Sequence, residues 1–481
     1  MVLSNRNLTL YLKNKIERLY MKNNLPLNIL KSQSEACKSA IKYLLAKVFL
    51  EGRPADKVLS DFFKNNRKYG SRDRRLMLDV SFAVFRWWGW IKVDLSKNLL
   101  KQFEDSSSDN QSIFVISNAQ LTKIILIACI LDNLESIPKE ILSLWTEESG
   151  VKLQANRPVI FDSDMLKLID SDFIYKSDSS GQSCKLSIDK LIPKCALEFL
   201  PENIDINKLI SYFQKRPPMW LRAQTNKIDE LILKLKSVNM DAHLSKIVKG
   251  AIQINDPRVN LYTLDEFKEG KFEVQDLASQ AIGLVCNPKP GERWWDSCAG
   301  AGGKSLQLSF LMYGKGSVTA SDIREYKLDD LKRRARRAAV SNIRCTPWNG
   351  KALKLKKQNN FDGVLVDAPC SCSGTWRRNP DARWNTSVKD INEITKIQTK
   401  ILQNAATGVK PNGILVYATC SVFTEENQKI VDKFLKSSHN FELEPFINPL
   451  TGAKTNGTAQ ILPWDGNCDA TFIAKFRKLK K

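Results

Sequence analysis

Two short apolar runs, each followed by a cysteine motif, constrain the fold of this chain more than any other feature. Residues 361–366 precede Asp-Ala-Pro-Cys-Ser-Cys-Ser-Gly (367–374), and residues 414–417 precede Ala-Thr-Cys-Ser (418–421). Runs of this length and composition predict strands that are buried in a parallel sheet. Reactive groups of open α/β sheets gather at the carboxyl ends of the strands, so we expect Cys370 and Cys420 to face one crevice.

The residues around the two cysteines favour a chemical role over a packing role. A thiolate is the side-chain nucleophile suited to add to the electron-poor ring of a pyrimidine base. Most free cysteines are small buried hydrophobes, and either cysteine taken alone would favour that interpretation. The flanking Asp-Ala-Pro and Ala-Thr residues reverse the balance and predict that both thiols are reactive.

A glycine-rich segment predicts a second half of the site. Residues 294–305 read Trp-Trp-Asp-Ser-Cys-Ala-Gly-Ala-Gly-Gly-Lys-Ser, which predicts a strand, a tight turn and a helix whose first amides can face a ligand. It is not a phosphate loop, because Cys298 stands where the first glycine is required. It is not a dinucleotide fingerprint either, because Ser305 replaces the third glycine. With Asp322, which follows the next predicted strand, the turn predicts a nucleoside-type cofactor site.

The charge balance indicates a nucleic-acid partner. Among 481 residues, 74 Lys and Arg oppose 52 Asp and Glu, which gives a net charge of +22. Such an excess is typical of proteins that neutralise phosphates, although a soluble protein can also simply be basic. The length predicts two or three domains.

Several other classes of protein and site are disfavoured. The first 30 residues do not resemble a signal peptide, and the longest apolar run, 124–131, is too short to span a membrane. The scattered cysteines are expected to be free thiols, and we expect a cytoplasmic monomer that does not bind membranes. Only two histidines are present, which argues against Ser-His-Asp catalysis. Cys370-x-Cys372 lacks a second pair at zinc-finger spacing, so no metal site is predicted.

The order of patterns along the chain predicts a multidomain protein. Apolar residues at helical spacing in 55–62 and 76–87 predict an all-α region. Short mixed elements then predict a small α/β subdomain, and the rhythm of strand, turn and helix that follows predicts a doubly wound α/β domain. We place these domains at 1–205, 206–270 and 271–481.

Together the motifs resemble a known family. The segments 298–304, 367–375 and 418–421, with Arg-Arg-Asn-Pro-Asp at 377–381, are similar to the Nop/Sun family of RNA cytosine-5 methyltransferases, in its bacterial RsmB-like branch. Residues 272–481 carry this resemblance most strongly. It implies an N-terminal NusB-like RNA-binding domain, a small RNA-contacting subdomain and a C-terminal Rossmann-like methyltransferase domain. The implied substrate is RNA, with ribosomal RNA favoured by the branch, and the implied cofactor is S-adenosylmethionine.

The resemblance also assigns roles to individual residues. Cys420 would attack carbon 6 of the target cytosine, Cys370 would assist product release, and Asp367 would stabilise the ring at nitrogen 3. Asp322 would hold the cofactor ribose, and Lys304 would serve either cofactor or substrate. The implied cofactor-binding residues are Cys298, Ala299, Gly300, Ala301, Gly302, Gly303, Lys304, Asp322, Asn349 and Asp367.

Some alternatives stay open at this point. DNA cytosine methyltransferases use a Pro-Cys nucleophile, which would point to Cys370 in place of Cys420. The family usually has an acid near the adenine where this chain has Asn349, so an inactive fold that serves as an RNA-binding assembly factor is the alternative function. Of the basic stretches, we expect 332–337 to be a solvated helix face. We expect 376–378 to contact RNA, with Trp376 stacking on a base.

Overall fold

A computed structural model describes residues 26–95, 97–104, 115–132, 134, 137–150, 174–176, 183–185, 188–255, 260–354 and 358–480. These residues belong to two compact units. The first, here called the helical unit, holds the described residues up to Lys194 together with the segment 379–385. The second, the sheet unit, holds the described residues of 195–378 and 386–481.

The helical unit is built mainly from amphipathic helices. The apolar spacing predicted for 55–62 and 76–87 is confirmed, since Val58, Phe62, Val80 and Val84 are all buried. A short antiparallel ribbon is the only sheet described in this unit. Its elements are α1 (Leu27–Glu51), α2 (Ala55–Asn65), α3 (Ser71–Ile91), α4 (Lys97–Glu104), α5 (Asn118–Leu131), α6 (Lys139–Ser149), β1 (Ile174–Lys176) and β2 (Ser183–Lys185); α7 (Lys194–Leu197) lies where the two units divide.

The first half of the sheet unit forms a small antiparallel sheet. Its strand order is β4-β5-β3-β6. The last strand lies beyond residue 270, where we placed the end of the small subdomain, because β6 pairs with β3 in the register Leu221 to Val274. The elements are α8 (Ile206–Phe213), β3 (Met219–Ala223), α9 (Ile228–Ser237), β4 (Ala242–Leu244), β5 (Ala251–Ile254), α10 (Asp265–Lys268) and β6 (Phe272–Val274).

The second half of the sheet unit is the predicted Rossmann-like domain, which the structure confirms. Strands β9-β8-β7-β10-β11 run parallel, and β14 then pairs antiparallel with β11, β12 and β13. The strands are β7 (Arg293–Asp296), β8 (Ser317–Ala320), β9 (Ile343–Cys345), β10 (Phe361–Asp367), β11 (Val409–Thr419), β12 (Phe441–Leu443), β13 (Thr458–Ile461) and β14 (Thr471–Lys478). The helices are α11 (Leu277–Cys286), α12 (Gly303–Leu311), α13 (Glu325–Arg337), α14 (Pro380–Trp384), α15 (Val388–Ala406) and α16 (Gln428–Ser437).

The parallel register brings the functional motifs to one edge of the sheet. Asp296 pairs with Leu365 on one side and with Ala320 on the other, and Asp367 pairs with Ala418. The ends of β7, β8, β10 and β11 are therefore level. The apolar residues of β10 and β11 are buried on both faces of the sheet, as the sequence predicts. No described helix is long and apolar enough to cross a membrane.

The short helix α14 belongs to the helical unit, although the residues on both sides of it belong to the sheet unit. The indole nitrogen of Trp384 donates to the carbonyl of Phe85 at 2.6 Å, and Arg383 donates to the carbonyl of Leu191 at 2.6 Å. The carboxylate of Asp381 accepts from the backbone nitrogen of Ala55 at 2.8 Å. These buried polar contacts fix the segment in the helical unit.

Candidate active site

The two predicted cysteines meet at the carboxyl edge of the large sheet. Cys370 lies three residues after β10 and Cys420 directly follows β11, so the parallel pairing of these strands brings both thiols to the same place. Their sulfur atoms are 3.3 Å apart. The backbone supports this approach, since the nitrogen of Gly374 donates to the carbonyl of Cys420 at 2.9 Å. A Cβ on Gly374 would lie 2.3 Å from the carbonyl oxygen of Ala470, so only glycine fits there.

One buried carboxylate ties the two cysteine loops together. Glu426, which is 0% exposed, accepts from the backbone nitrogen of Ser371 at 2.8 Å and from its hydroxyl at 2.5 Å. It also accepts from the hydroxyl of Ser421 and from the amide of Gln398, the latter at 3.0 Å. Ser371 follows Cys370 and Ser421 follows Cys420. Glu426 therefore fixes the residue next to each thiol.

A third thiol joins the pair. The sulfur atoms of Cys370, Cys372 and Cys420 all lie within 4.8 Å of one another. Hydrogen bonds from Cys370 and Cys420 lower the pKa of Cys372, whereas hydrogen bonds to Cys372 and Cys420, followed by burial, raise the pKa of Cys370. For Cys420, the hydrogen bond from Cys370 acts to lower the pKa, but the bond to Cys372 and burial outweigh it and raise that pKa. The cluster therefore favours one shared negative charge over three.

Lys304 and Asp367 form an ion pair beside the thiols. The ammonium of Lys304, in the first turn of α12, lies 2.7 Å from the carboxylate of Asp367 at the end of β10. Burial alone would lower the pKa of Lys304, but the neighbouring Asp367 charge raises it above its ordinary value. Lys304 is therefore a fixed cation at the centre of the site.

The glycine-rich turn has the conformation that its sequence predicts. Gly302 has φ 87° and precedes α12, and a Cβ there would lie 2.3 Å from Cγ of Leu331. The first amides of a helix have no acceptor within it, so this turn offers donors to an anionic group. The structure confirms the predicted strand, turn and helix at this position.

Asp322 stands at the end of β8, as predicted, and is 5% exposed. Its carboxylate accepts from the backbone nitrogen of Gly300 at 2.9 Å and from the guanidinium of Arg324 at 3.0 and 3.2 Å. Burial would raise the pKa of Asp322, but the hydrogen bonds from Arg324 lower it below the ordinary value. The Arg324 side chain is 54% exposed, so it can leave when another donor approaches this carboxylate.

A single cavity of about 1020 Å³ joins these features. It is bordered by the turn at 298–301, by Lys304 and Asp322, and by the segment 348–350 after β9. In that segment Asn349 is exposed, and its side-chain oxygen accepts from the backbone nitrogen of Lys351 at 3.2 Å. The cavity also contains Asp367, Cys370 and Cys420. It therefore has room for a nucleoside-type ligand and for a second ring next to the thiols.

Two predictions about RNA contacts are wrong. Trp376 is 0% exposed and packs edge-on against Phe213 and Phe423, so its ring cannot stack on a base. Arg377 is also buried, and its guanidinium donates to the carbonyls of Lys215 and Cys468 at 3.3 and 3.2 Å. Both side chains hold the loop after Cys370 in the interior. Local sequence does not distinguish such a buried loop from an exposed one.

The basic helix face at 332–337 is less solvated than we predicted. Lys332 and Arg333 pair with acids of the preceding turn, as solvated helix residues commonly do. Arg334 and Arg337, in contrast, both bind Glu273, which is 2% exposed. Two of the five cationic residues in this stretch therefore connect α13 to β6.

Three residues at the site were not predicted from sequence: Glu426, Arg324 and the third thiol, Cys372. Glu426 is six residues beyond Cys420, and nothing in its local pattern indicates that it contacts both loops. Cys372 was considered only as half of a linear metal motif. The signal that would find it is spatial, since its partner Cys420 lies 48 positions away in the chain.

Comparisons with known proteins all indicate similarity to methyltransferases of small-subunit ribosomal RNA. The family model described as 16S rRNA methyltransferase RsmB/F matches residues 283–477. A curated ribosomal RNA small subunit methyltransferase B from Enterobacter sp. is 36% identical over 273 residues, and a probable one from Bacillus subtilis is 30% identical over 270. The matched regions cover 55% and 54% of this chain, and 60% of the length of each relative.

Solved structures show the same fold. The crystal structure of PH0851 superposes with a TM-score of 0.68 at 23% identity, covering 92% of this chain and 99% of that one. The structure of NSun6 from Pyrococcus horikoshii with SFG superposes with a TM-score of 0.50 at 20% identity, covering 57% of this chain and 94% of that one. At these identities the likeness supports the architecture described above.

Proposed function

We propose that this chain is a methyltransferase of the RsmB/F type, whose family model matches residues 283–477, and that it transfers a methyl group to carbon 5 of a cytosine in RNA. Ribosomal RNA of the small subunit is the substrate that we infer from the names of its relatives. The observation that carries the proposal is the approach of Cys370 and Cys420 to 3.3 Å within the cavity that the glycine-rich turn borders. Two thiols suit a reaction in which one forms a covalent adduct and the other helps to resolve it.

The residues present fit S-adenosylmethionine, the cofactor of this family, which supplies an electrophilic methyl group when bound. SFG, held by the related NSun6 structure, is an analogue of it. Gly302 lets the turn pack closely against Leu331, and the first turn of α12 offers amide donors to a carboxylate. Asp322 suits a ribose diol once Arg324 moves aside, because its carboxylate oxygens can accept two hydroxyl donors. Asn349 offers an amide oxygen to an adenine amino group.

In the proposed reaction, Cys420 attacks carbon 6 of the flipped-out cytosine as a thiolate and forms a carbon–sulfur bond. The displaced electron pair makes carbon 5 nucleophilic, so carbon 5 accepts the methyl group. Asp367, which forms an ion pair with Lys304, would stabilise the ring at nitrogen 3. Cys370 assists product release: a base takes the carbon 5 proton, the electron pair of that bond restores the double bond between carbons 5 and 6, and the bond to Cys420 breaks, which regenerates the Cys420 thiolate.

The test is methyl transfer from labelled S-adenosylmethionine to total RNA of an organism that lacks this gene. Wild type, Cys420→Ala and Cys370→Ala are compared, with Cys345→Ala as the control because that half-buried thiol does not border the cavity. Cofactor affinity is measured for each variant, and denaturing gels detect covalent adducts.

We expect label on carbon 5 of cytosine with wild type and with Cys345→Ala. Cys420→Ala should lose both label and adduct, and Cys370→Ala should accumulate the adduct. The reverse pattern would exchange the roles of the two thiols. Tight RNA binding without any label would reject the enzymatic proposal and favour an RNA-binding assembly factor.

A further inference from the structure

The thiol cluster has more members than the proposed reaction uses. That reaction assigns roles to Cys420 and Cys370, whereas Cys372 has none. Its sulfur nevertheless lies within 4.8 Å of both others, on the loop that Glu426 fixes through Ser371. Two of the three thiols serve as nucleophile and helper in the proposed reaction. All three together, converging from two loops, can also act as ligands of a metal ion.

The spacing of the three sulfur atoms fits a thiophilic cation. A zinc–sulfur bond is about 2.3 Å, so two thiolates on one tetrahedral zinc ion are about 3.8 Å apart. The Cys370–Cys420 separation of 3.3 Å and the 4.8 Å limit for the whole cluster lie on either side of that value. Side-chain adjustments of less than about 1 Å would therefore bring all three sulfurs to bonding distance.

The backbone at Cys372 has a strained conformation that holds its thiol in place. Cys372 has φ 57° and ψ 24°, in the left-handed region that glycine adopts most easily. Non-glycine residues in such conformations concentrate at functional sites and ligand clamps. Gly374, two residues later, pairs with the carbonyl of Cys420 and so prevents the loop from relaxing outward.

The charges around the cluster also suit a divalent ion. Three thiolates and one Zn²⁺ leave one net negative charge, and the ammonium of Lys304 borders the same cavity. Metal binding requires deprotonated thiols, and Zn²⁺ displaces their protons as it binds. A tetrahedral ion held by three protein ligands takes water in its fourth position, and the cavity of about 1020 Å³ has room for it.

We propose that Cys370, Cys372 and Cys420 form a three-thiolate site for Zn²⁺. Binding of the metal itself does not depend on the proposed reaction. Its consequence rests on that reaction: because the metal occupies the sulfur of Cys420, the zinc-bound protein cannot attack a cytosine, and removal of the metal restores the nucleophile.

The test titrates the reduced, metal-free full chain with Zn²⁺, and with Co²⁺ as a spectroscopic probe of thiolate ligation. Cys372→Gly removes one ligand and relieves the left-handed strain, so this variant is expected to fold at least as well as wild type. Cys345→Ser removes a half-buried thiol outside the cluster and serves as the matched control. Thermal unfolding and cofactor binding verify that all three proteins are folded.

We expect wild type and Cys345→Ser to bind one Zn²⁺ and to show a thiolate-to-cobalt charge-transfer band. Cys372→Gly should bind Zn²⁺ at least about 10- to 100-fold more weakly, the order of effect known for lost metal-site partners. Zinc should inhibit methyl transfer by wild type, reversibly with a chelator, and inhibit Cys372→Gly far less.

Equal zinc affinity in wild type and Cys372→Gly, or no binding by wild type, would overturn the proposed site. If zinc binds as expected but the metal-free protein transfers no methyl group, the proposed function fails and the metal site stands. The two proposals are therefore judged by separate readouts.

Discussion

At the scale of single residues, Glu426 connects the two halves of the site. Its carboxylate accepts from the backbone and hydroxyl of Ser371, from Ser421 and from Gln398. Four hydrogen-bond donors face the two carboxylate oxygens, so a side chain that carried an N–H group at this place would set a donor against donors. The position therefore requires a carboxylate and excludes an amide of the same shape.

We predict that Glu426→Gln lowers kcat by about 10- to 100-fold, because the new amide group faces donors and the two cysteine loops lose their shared acceptor. The free energy of unfolding should fall by about 1–3 kcal/mol. The Kd for S-adenosylmethionine should change little, because the contacts of Glu426 are with the cysteine loops. Methyl-transfer kinetics, urea unfolding and calorimetric titration measure the three quantities.

Glu425→Gln is the matched control for this change. Glu425 is the adjacent residue, and its partly buried carboxylate pairs with the exposed Lys429 of α16. Its substitution should leave kcat within about twofold of wild type, because this ion pair is with α16 and not with the cysteine loops. If Glu426→Gln reduced activity only in proportion to the loss of folded protein, Glu426 would be a stabilising residue without a positioning role.

The sequence predicted some residues of the site and missed others. Cys370, Cys420, Lys304 and Asp367 lie together as the motifs suggest, because each follows a parallel strand or begins the helix after one. Glu426 and Cys372 depend on contacts across about 50 residues of sequence, which no local pattern encodes.

At the scale of elements, the turn between β7 and α12 depends on a single glycine. Gly302 has φ 87°, and a Cβ there would clash with Leu331 on α13. The adjacent Gly303 is the first residue of α12. The atom nearest to a Cβ added there would be a guanidinium nitrogen of Arg334, at 3.9 Å. Two neighbouring glycines therefore have opposite tolerance for a methyl group.

We predict that Gly302→Ala lowers the free energy of unfolding of the sheet unit by about 2–4 kcal/mol, from left-handed strain together with overpacking. Gly303→Ala should be neutral or should stabilise by up to about 1 kcal/mol, because it adds a helix former at an open position. Urea unfolding with hydrogen exchange of the α12 amides measures both. Equal effects of the two substitutions would contradict the assigned role of the turn.

Elements were predicted better than loops. The strands predicted at 361–366 and 414–417 and the helix after the glycine-rich turn are confirmed, because they follow from apolar runs and from glycine placement, which are local properties. The first residues of β11, 409–413, are not an apolar run and were not predicted.

In the segment 376–378 the prediction of RNA contacts is wrong for Trp376 and Arg377, which are buried although aromatic and basic composition is typical of surfaces, whereas Arg378 is exposed. The burial of Trp376 results from packing against Phe213 and Phe423, which come from distant parts of the chain.

At the scale of the whole molecule, only part of the net charge of +22 is on side chains that are free to bind an anionic partner. Arg334 and Arg337 are committed to Glu273, and Arg377 is buried. In the helical unit, by contrast, Lys64, Arg67 and Arg74 border a surface cavity of about 480 Å³ between α2 and α3. Lys64 and Arg67 are exposed, so they are placed to reach phosphates.

We predict that RNA affinity falls on the order of 100-fold between ~50 and ~200 mM salt, as expected for several phosphate contacts. Arg67→Gln should reduce the slope of log affinity against log salt by roughly 0.7, the value for one contact to a single strand. Arg333→Gln, which removes a charge paired with Asp330, is the control and should leave the slope nearly unchanged. Filter binding across a salt series measures all three, and a flat response would reject the phosphate contacts.

The position of α14 limits how recombination can divide the coding sequence of this protein. Trp384 and Arg383 depend on carbonyls of Phe85 and Leu191, so a gene fragment that begins after Lys194 still encodes a piece of the missing unit. No single recombination point separates the two units cleanly. A breakpoint between the two units would leave the half-buried Trp384 and the buried Arg383 without their acceptors, and we therefore expect the coding sequences of the two units to be inherited together.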